Sequence, residues 1–174
     1  MLEAKVFEQA DVRATITSMS VARTVGLSRQ FRKAGADVTG YTAGEALLLW
    51  LAEYWHRKKF RYDRTDLILD QFREQIRKIG DELWLPLAEL EQKGWPSDKA
   101  KFPSAILWVW DERYASISGE QCFLDLELAK PVMKLPAAPL QMTGLDLTAL
   151  FMRCRASMLK PKRQEGPFND HDGG

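Results

Sequence analysis

Histidine and cysteine are scarce in this chain, with two of each among 174 residues. His56 and His171 stand far apart, and Cys122 and Cys154 have no CxxC spacing. No His/Cys metal cluster can therefore be assembled from sequence neighbours, and no metal is expected. The two thiols read as free in a reducing compartment, with a disulfide as the alternative. Long apolar runs are also missing. The longest, residues 46–52, stops at Glu53 and falls far short of the roughly 20 residues a membrane helix needs. The first dozen residues carry Glu3, Glu8 and Asp11 against Lys5, the reverse of a basic secretory start. A cytoplasmic protein with no membrane partner is the expectation. Internal repeats, low-complexity tracts and a GxSxG setting for a nucleophile are absent as well.

What is present suits a folded core. The chain is 45% hydrophobic and 28% charged, too apolar for a disordered segment. Its length suits one domain, expected over residues 1–160, with residues 161–174 as a disordered tail. The net charge of +1 hides a pattern. Residues 12–64 hold ten basic and four acidic side chains, whereas residues 65–129 hold seven and thirteen. Such asymmetry fits an anionic partner on one face, or two parts of one domain attracting each other.

The clearest element starts at Thr42. Thr42 and Glu45 form a T-x-x-E capping box ahead of an apolar run through Trp55, which predicts a core helix buried on most faces. A second helix is expected over residues 66–79, capped by Thr65 and ended by Gly80, with Leu69, Phe72, Ile76 and Ile79 on one face. Residues 82–87 read as a short strand. After Pro96 the pattern turns to β: residues 105–110 and 114–118 read as paired strands. Residues 122–129 suit either a strand or a two-turn helix. Residues 132–135 read as a strand, and residues 145–159 as a last helix capped by Thr143 or Asp146. The expected class is α+β, with N-terminal helices packed on a small sheet formed by strands after residue 103 and a closing C-terminal helix.

Three stretches could carry chemistry. In residues 56–64, Arg57, Lys58, Lys59, Arg61 and Arg64 alternate with Phe60 and Tyr62. Cations neutralise phosphates and rings stack on bases, so this stretch is a candidate nucleic-acid contact, set against a solvated loop that complements a helix dipole. Residues 18–33 have a loose helix-turn-helix spacing that would put Arg29, Arg32 and Lys33 in a groove, although Arg32 occupies a position that should be buried. Residues 110–136 run strand, turn, strand and then Ser118-Gly119-Glu120-Gln121-Cys122. A glycine ending a strand lets backbone N–H groups approach a phosphate, which makes Ser118, Gly119 and Gln121 candidate nucleotide contacts. Glu120 and Asp125 are the carboxylates that could serve as catalytic acid or base, with Glu127 beside Asp125.

The pattern W-x-x-D-x-R-Y-x-x-I-S-G-E-Q-C at residues 108–122, with L-W-L-P-L-A-E-L at residues 83–90, resembles the ParB/sulfiredoxin-like fold. It covers about a third of the chain. Gln121 and Cys122 stand where that family has a basic pair. The resemblance extends to plasmid fertility-inhibition factors of the Osa type and implies DNA and nucleotide activities. The leading expectation is thus a cytoplasmic accessory protein acting on or beside nucleic acid. The alternative is a non-enzymatic protein-interaction module, which predicts an exposed apolar patch including Trp95, Trp108 or Trp110. Neither reading names a cofactor.

Overall fold

The computed structural model describes residues 7–16, 40–93, 105–118, 123–135 and 137–159. Strand β1 (Phe7–Glu8) leads into helix α1 (Gln9–Thr15) and pairs antiparallel with β2 (Gly40–Tyr41). Helix α2 (Ala43–Arg57) follows at once. Its start is the capping box expected from sequence: the Glu45 N–H donates to the Thr42 hydroxyl at 3.1 Å, and the Thr42 N–H donates to the Glu45 carboxylate at 2.9 Å. Leu47, Leu48, Leu49, Trp50 and Leu51 are all buried, so α2 is the central core element. Trp50 meets Phe7 and Phe151 edge-on, and its indole N–H donates to the Thr15 hydroxyl at 2.8 Å. That bond satisfies a buried donor and ties α1 to α2.

Helix α3 (Tyr62–Lys93) is far longer than the sequence pattern predicts. Gly80 does not end it, and residues 82–87 are helix rather than strand. Nor does Thr65 cap it; the Thr65 hydroxyl donates back to the Arg61 carbonyl at 3.1 Å, inside the first turn. Gly80 is small because α2 crosses there. A Cβ on Gly80 would lie 2.7 Å from the Gly44 Cα and 2.8 Å from the Ala43 carbonyl oxygen. Next to this crossing, the Gly44 N–H donates to the Asp81 carboxylate at 2.7 Å, which places a negative charge at the positive end of α2.

The remaining strands are β3 (Ile106–Trp110), β4 (Tyr114–Ile117), β5 (Phe123–Asp125), β6 (Lys130–Val132) and β7 (Met142–Asp146). They form one five-stranded sheet in the order β6-β5-β4-β3-β7, every pair antiparallel. The β3–β4 hairpin expected from sequence is present. At its tip Asp111 and Glu112 both have positive φ, 49° and 52°, the handedness that matches the twist of the flanking strands. Residues 122–129, ambiguous in sequence, contain β5 and then a turn. The next strand begins two residues earlier than expected. Strand β7 was hidden by its neighbour: it occupies the start of the stretch read as helix and runs directly into α4 (Leu147–Leu159). Asp146 is the cap, accepting from the Ala149 N–H at 3.0 Å, while Thr143 lies within β7 opposite Val109.

Burial alternates along β3, so the sheet has two faces. Leu107, Val109, Ala115, Ile117 and Leu124 join the residues of α2, α3 and α4 in one core. The class is α+β, with helices on one face of a small antiparallel sheet.

Candidate functional site

The cationic stretch forms the corner between α2 and α3, and its backbone is a helix stop. The Phe60 N–H donates to the Trp55 carbonyl at 3.0 Å and the Lys59 N–H to the His56 carbonyl at 3.1 Å. Lys59 sits in left-handed backbone at φ 57°. This pair of bonds around a left-handed residue is a Schellman motif. Its usual apolar contact is the Phe60 ring stacked on Trp55, with centroids 5.4 Å apart. Phe60 is therefore engaged in packing. Tyr62 is half-exposed, and its hydroxyl shares a hydrogen bond with His56 Nδ1.

Most of the cations of this corner have partners within the chain. Arg57 pairs with Glu53 at 2.7 Å, and the Glu53 side chain is fully buried. The Arg61 guanidinium grips Asp63 through two bonds, at 3.1 and 2.6 Å. That bond raises the Arg61 pKa above its ordinary value, the charge of Asp63 adds to it, and Glu112 and Glu127 contribute further. Arg64 donates to the Glu112 carbonyl at the β3–β4 tip. Lys58 lies 5.9 Å from the centre of the Tyr54 ring. The corner and the hairpin tip thus face each other, basic against acidic, and the charge asymmetry of the sequence is in part this internal attraction. Arg29, Arg32 and Lys33, with the helix-turn-helix spacing they belong to, lie outside the described residues.

The hairpin holds the other candidates. Gly119, Glu120 and Gln121 lie outside the described residues. Ser118 closes the open end of the hairpin: its hydroxyl accepts from the Ile106 N–H at 2.8 Å and donates to the Ile106 carbonyl at 2.9 Å. Asp125 is buried and organises the turn after β5. Its Oδ1 accepts from the Glu127 and Leu128 N–H groups at 2.9 and 3.1 Å, and its Oδ2 accepts from Arg113 at 3.2 Å. Burial pushes this carboxyl's pKa up, but the Leu128 N–H, the Arg113 guanidinium and the Glu127 N–H outweigh it, so the group lies below the ordinary carboxylate value. A second branch of Arg113 reaches Glu127 at 3.2 Å. The Asp125 carboxylate is a charged anchor here, its oxygens occupied by donors.

The second face of the sheet, on which none of the described helices packs, is a feature that sequence reasoning glimpsed only as two tryptophans. Strand register puts Trp108 and Trp110 of β3 on one face with Tyr114 and Ser116 of β4, Phe123 and Asp125 of β5, and Met142 and Gly144 of β7. Trp108 and Trp110 stack with centroids 6.4 Å apart, and Trp110 meets Phe123 edge-on at 5.1 Å. The Trp108 ring lies over Gly144, where a Cβ would come within 2.5 Å of it. Both indoles are half-buried, and Met142, the β7 neighbour of Trp110, is 58% exposed. The signal was in the sequence: Ile106, Trp108 and Trp110 share one parity, Leu107 and Val109 the other.

Among the described residues no group of His, Cys, Asp and Glu is arranged to hold a metal ion, and no helix is long and apolar enough to cross a membrane. No family model, curated protein or solved structure matches this chain.

Proposed function

We propose that the protein is a protein-interaction module whose aromatic sheet face docks on a partner protein. The observation that supports this most directly is the Trp108–Trp110–Phe123 strip, half-buried and bordered on β7 by the exposed Met142. Rigid aromatic side chains supply contact area at small entropic cost, methionine adapts its flexible thioether to the surface it meets, and interface cores are enriched in both. The surrounding charges favour a protein over a nucleic acid. Arg113 is spent on Asp125 and Glu127, Lys130 stands opposite Asp125, and Asp146 adds a negative charge at the β7 end. A phosphate backbone calls for a clear cationic surplus, which the described residues of this face do not offer.

Photo-cross-linking tests the reading. With p-benzoylphenylalanine placed at Trp108 or Phe123 in the native cell, one protein species other than a second copy of this chain should be captured from both positions. It should be lost when Trp110→Asp is added, and not captured from Lys78 on the exposed side of α3. Equal capture from position 78, or cross-links to nucleic acid alone, would reject it.

A second reading keeps nucleic acid as the partner of the α2–α3 corner, supported by the exposed side chains of Lys58, Lys59, Arg61 and Tyr62. The nucleotide-type loop at residues 118–121 rests on the ParB/sulfiredoxin-like resemblance. Titration of labelled single- and double-stranded DNA at low and moderate salt decides it. Micromolar binding with a steep salt slope supports the corner, and no binding at low salt ends it.

A further inference from the structure

The two edges of the sheet are protected very differently. Strand β6 is three residues long and carries Lys130 and Pro131, the usual means of keeping other strands away. Strand β7 has neither lysine nor proline over five residues, and all of them but Leu145 are exposed. Its hydrogen bonds can be assigned by alternation. The Asp111 N–H donates to the Gln141 carbonyl and the Leu147 N–H to the Ala105 carbonyl, both at 2.9 Å. In an antiparallel ladder the bonded pairs recur every second residue, so Thr143 and Leu145 also face β3. Met142 and Gly144 then point their N–H and C=O groups away from the sheet. Among the described residues no strand pairs with that edge.

We propose that β7 pairs antiparallel with β7 of a second copy of this chain, joining two sheets into one of ten strands. This interface is the sheet edge, and it stands whether or not the aromatic face binds a partner. A two-fold axis beside Thr143 makes the strand its own complement. Met142 of each copy exchanges both backbone bonds with Gly144 of the other, and the two Thr143 residues meet in the closer, non-bonded pair, a favoured cross-strand match. The shape agrees. Gly144 has no side chain to obstruct the incoming Met142, whose thioether comes beside the Trp108 ring over that glycine, a favourable sulfur–aromatic contact. Met142, 58% exposed in the single chain, is covered. The two copies of Asp146, the one charged residue of β7, are held apart, each three residues from the axis.

Sedimentation equilibrium of the full chain from about 1 to about 500 µM tests the proposal, since association follows mass action. Wild type should be dimeric at the upper end. Met142→Pro deletes an outward donor and no bond to β3, and should raise the dimer Kd at least about tenfold; Met142→Ala, which keeps the donor, should raise it less. A wild-type chain that stays monomeric throughout, or a dimer indifferent to Met142→Pro, overturns the proposal. Should Met142→Pro fail to fold, amide exchange of the wild type decides. The Gly144 N–H must exchange more slowly at high protein concentration, and an unchanged rate is equally fatal.

Discussion

Gly44 and Gly80 meet backbone to backbone where α2 crosses α3. A Cβ on Gly44 would lie 2.3 Å from the Arg77 carbonyl oxygen, and one on Gly80 would lie 2.7 Å from the Gly44 Cα. Alanine favours a helix over glycine by about 1 kcal/mol, so propensity alone predicts that Gly80→Ala stabilises the protein. The crossing predicts the opposite, because backbone atoms cannot yield as a side chain can. Gly80→Ala should cost about 1–3 kcal/mol through forced separation of the helices. Urea unfolding checks it, and a raised midpoint would mean that the helices have room to spare.

Lys59 is the converse case. It holds the left-handed position of the Schellman motif, which glycine adopts without a Cβ penalty. Lys59→Gly should raise stability by about 1 kcal/mol, whereas Lys59→Ala should not. Thermal melts of the two variants compare them directly. The glycine variant also removes an exposed cation of the corner, so the same protein tests nucleic-acid binding without unfolding it.

The bond from Trp50 to Thr15 predicts a larger effect than its size suggests. Thr15→Val keeps the shape but leaves the indole N–H unpaired among buried apolar groups, where the Thr15 hydroxyl otherwise also donates to the Val12 carbonyl at 2.6 Å. The expected loss is about 1–3 kcal/mol, seen as a lower denaturation midpoint, together with a change in the near-ultraviolet tryptophan signal. A variant as stable as wild type would show that water replaces the hydroxyl.

Asp125 predicts a pH dependence with a definite sign. Its carboxyl lies below the ordinary value, so the unfolded chain takes up this proton first as pH falls. The stabilisation is complete above about pH 4, the unfolded value, and is lost as pH drops through the lower folded value. Asp125→Asn should flatten that part of the stability curve and loosen the turn at residues 126–129. An acid limb identical in variant and wild type would mean that other carboxylates dominate it.

The sequence made some features plain because their causes are local. A capping box needs only Thr42 and Glu45 three residues apart, and the parity of residues 106–110 already separates the two faces of β3. Gly80 misled for a physical reason: its small size reads as a helix stop, and only the approach of Gly44, 36 positions earlier, makes it a helix-crossing residue. Strand β7 was hidden because it passes without a break into α4, so no turn residue marks the change. The cations of residues 57–64 were legible as a cluster; Arg57–Glu53 and Arg61–Asp63 are local pairs, but the bond from Arg64 to the Glu112 carbonyl depends on how the corner meets the hairpin tip. Charge counts cannot foresee that.

The carboxylate of Asp111 at the tip of the β3–β4 hairpin accepts from the Leu140 and Gln141 N–H groups at 3.0 and 2.8 Å, immediately before β7 begins. Strands β3 to β6 follow one another as neighbours and can assemble from nearby chain, whereas β7 must return from the opposite side of the sheet. Asp111 is thus a mooring at the near end of the strand that returns from farthest away, and its carboxylate adds to the backbone ladder with β3 in holding the register of β7.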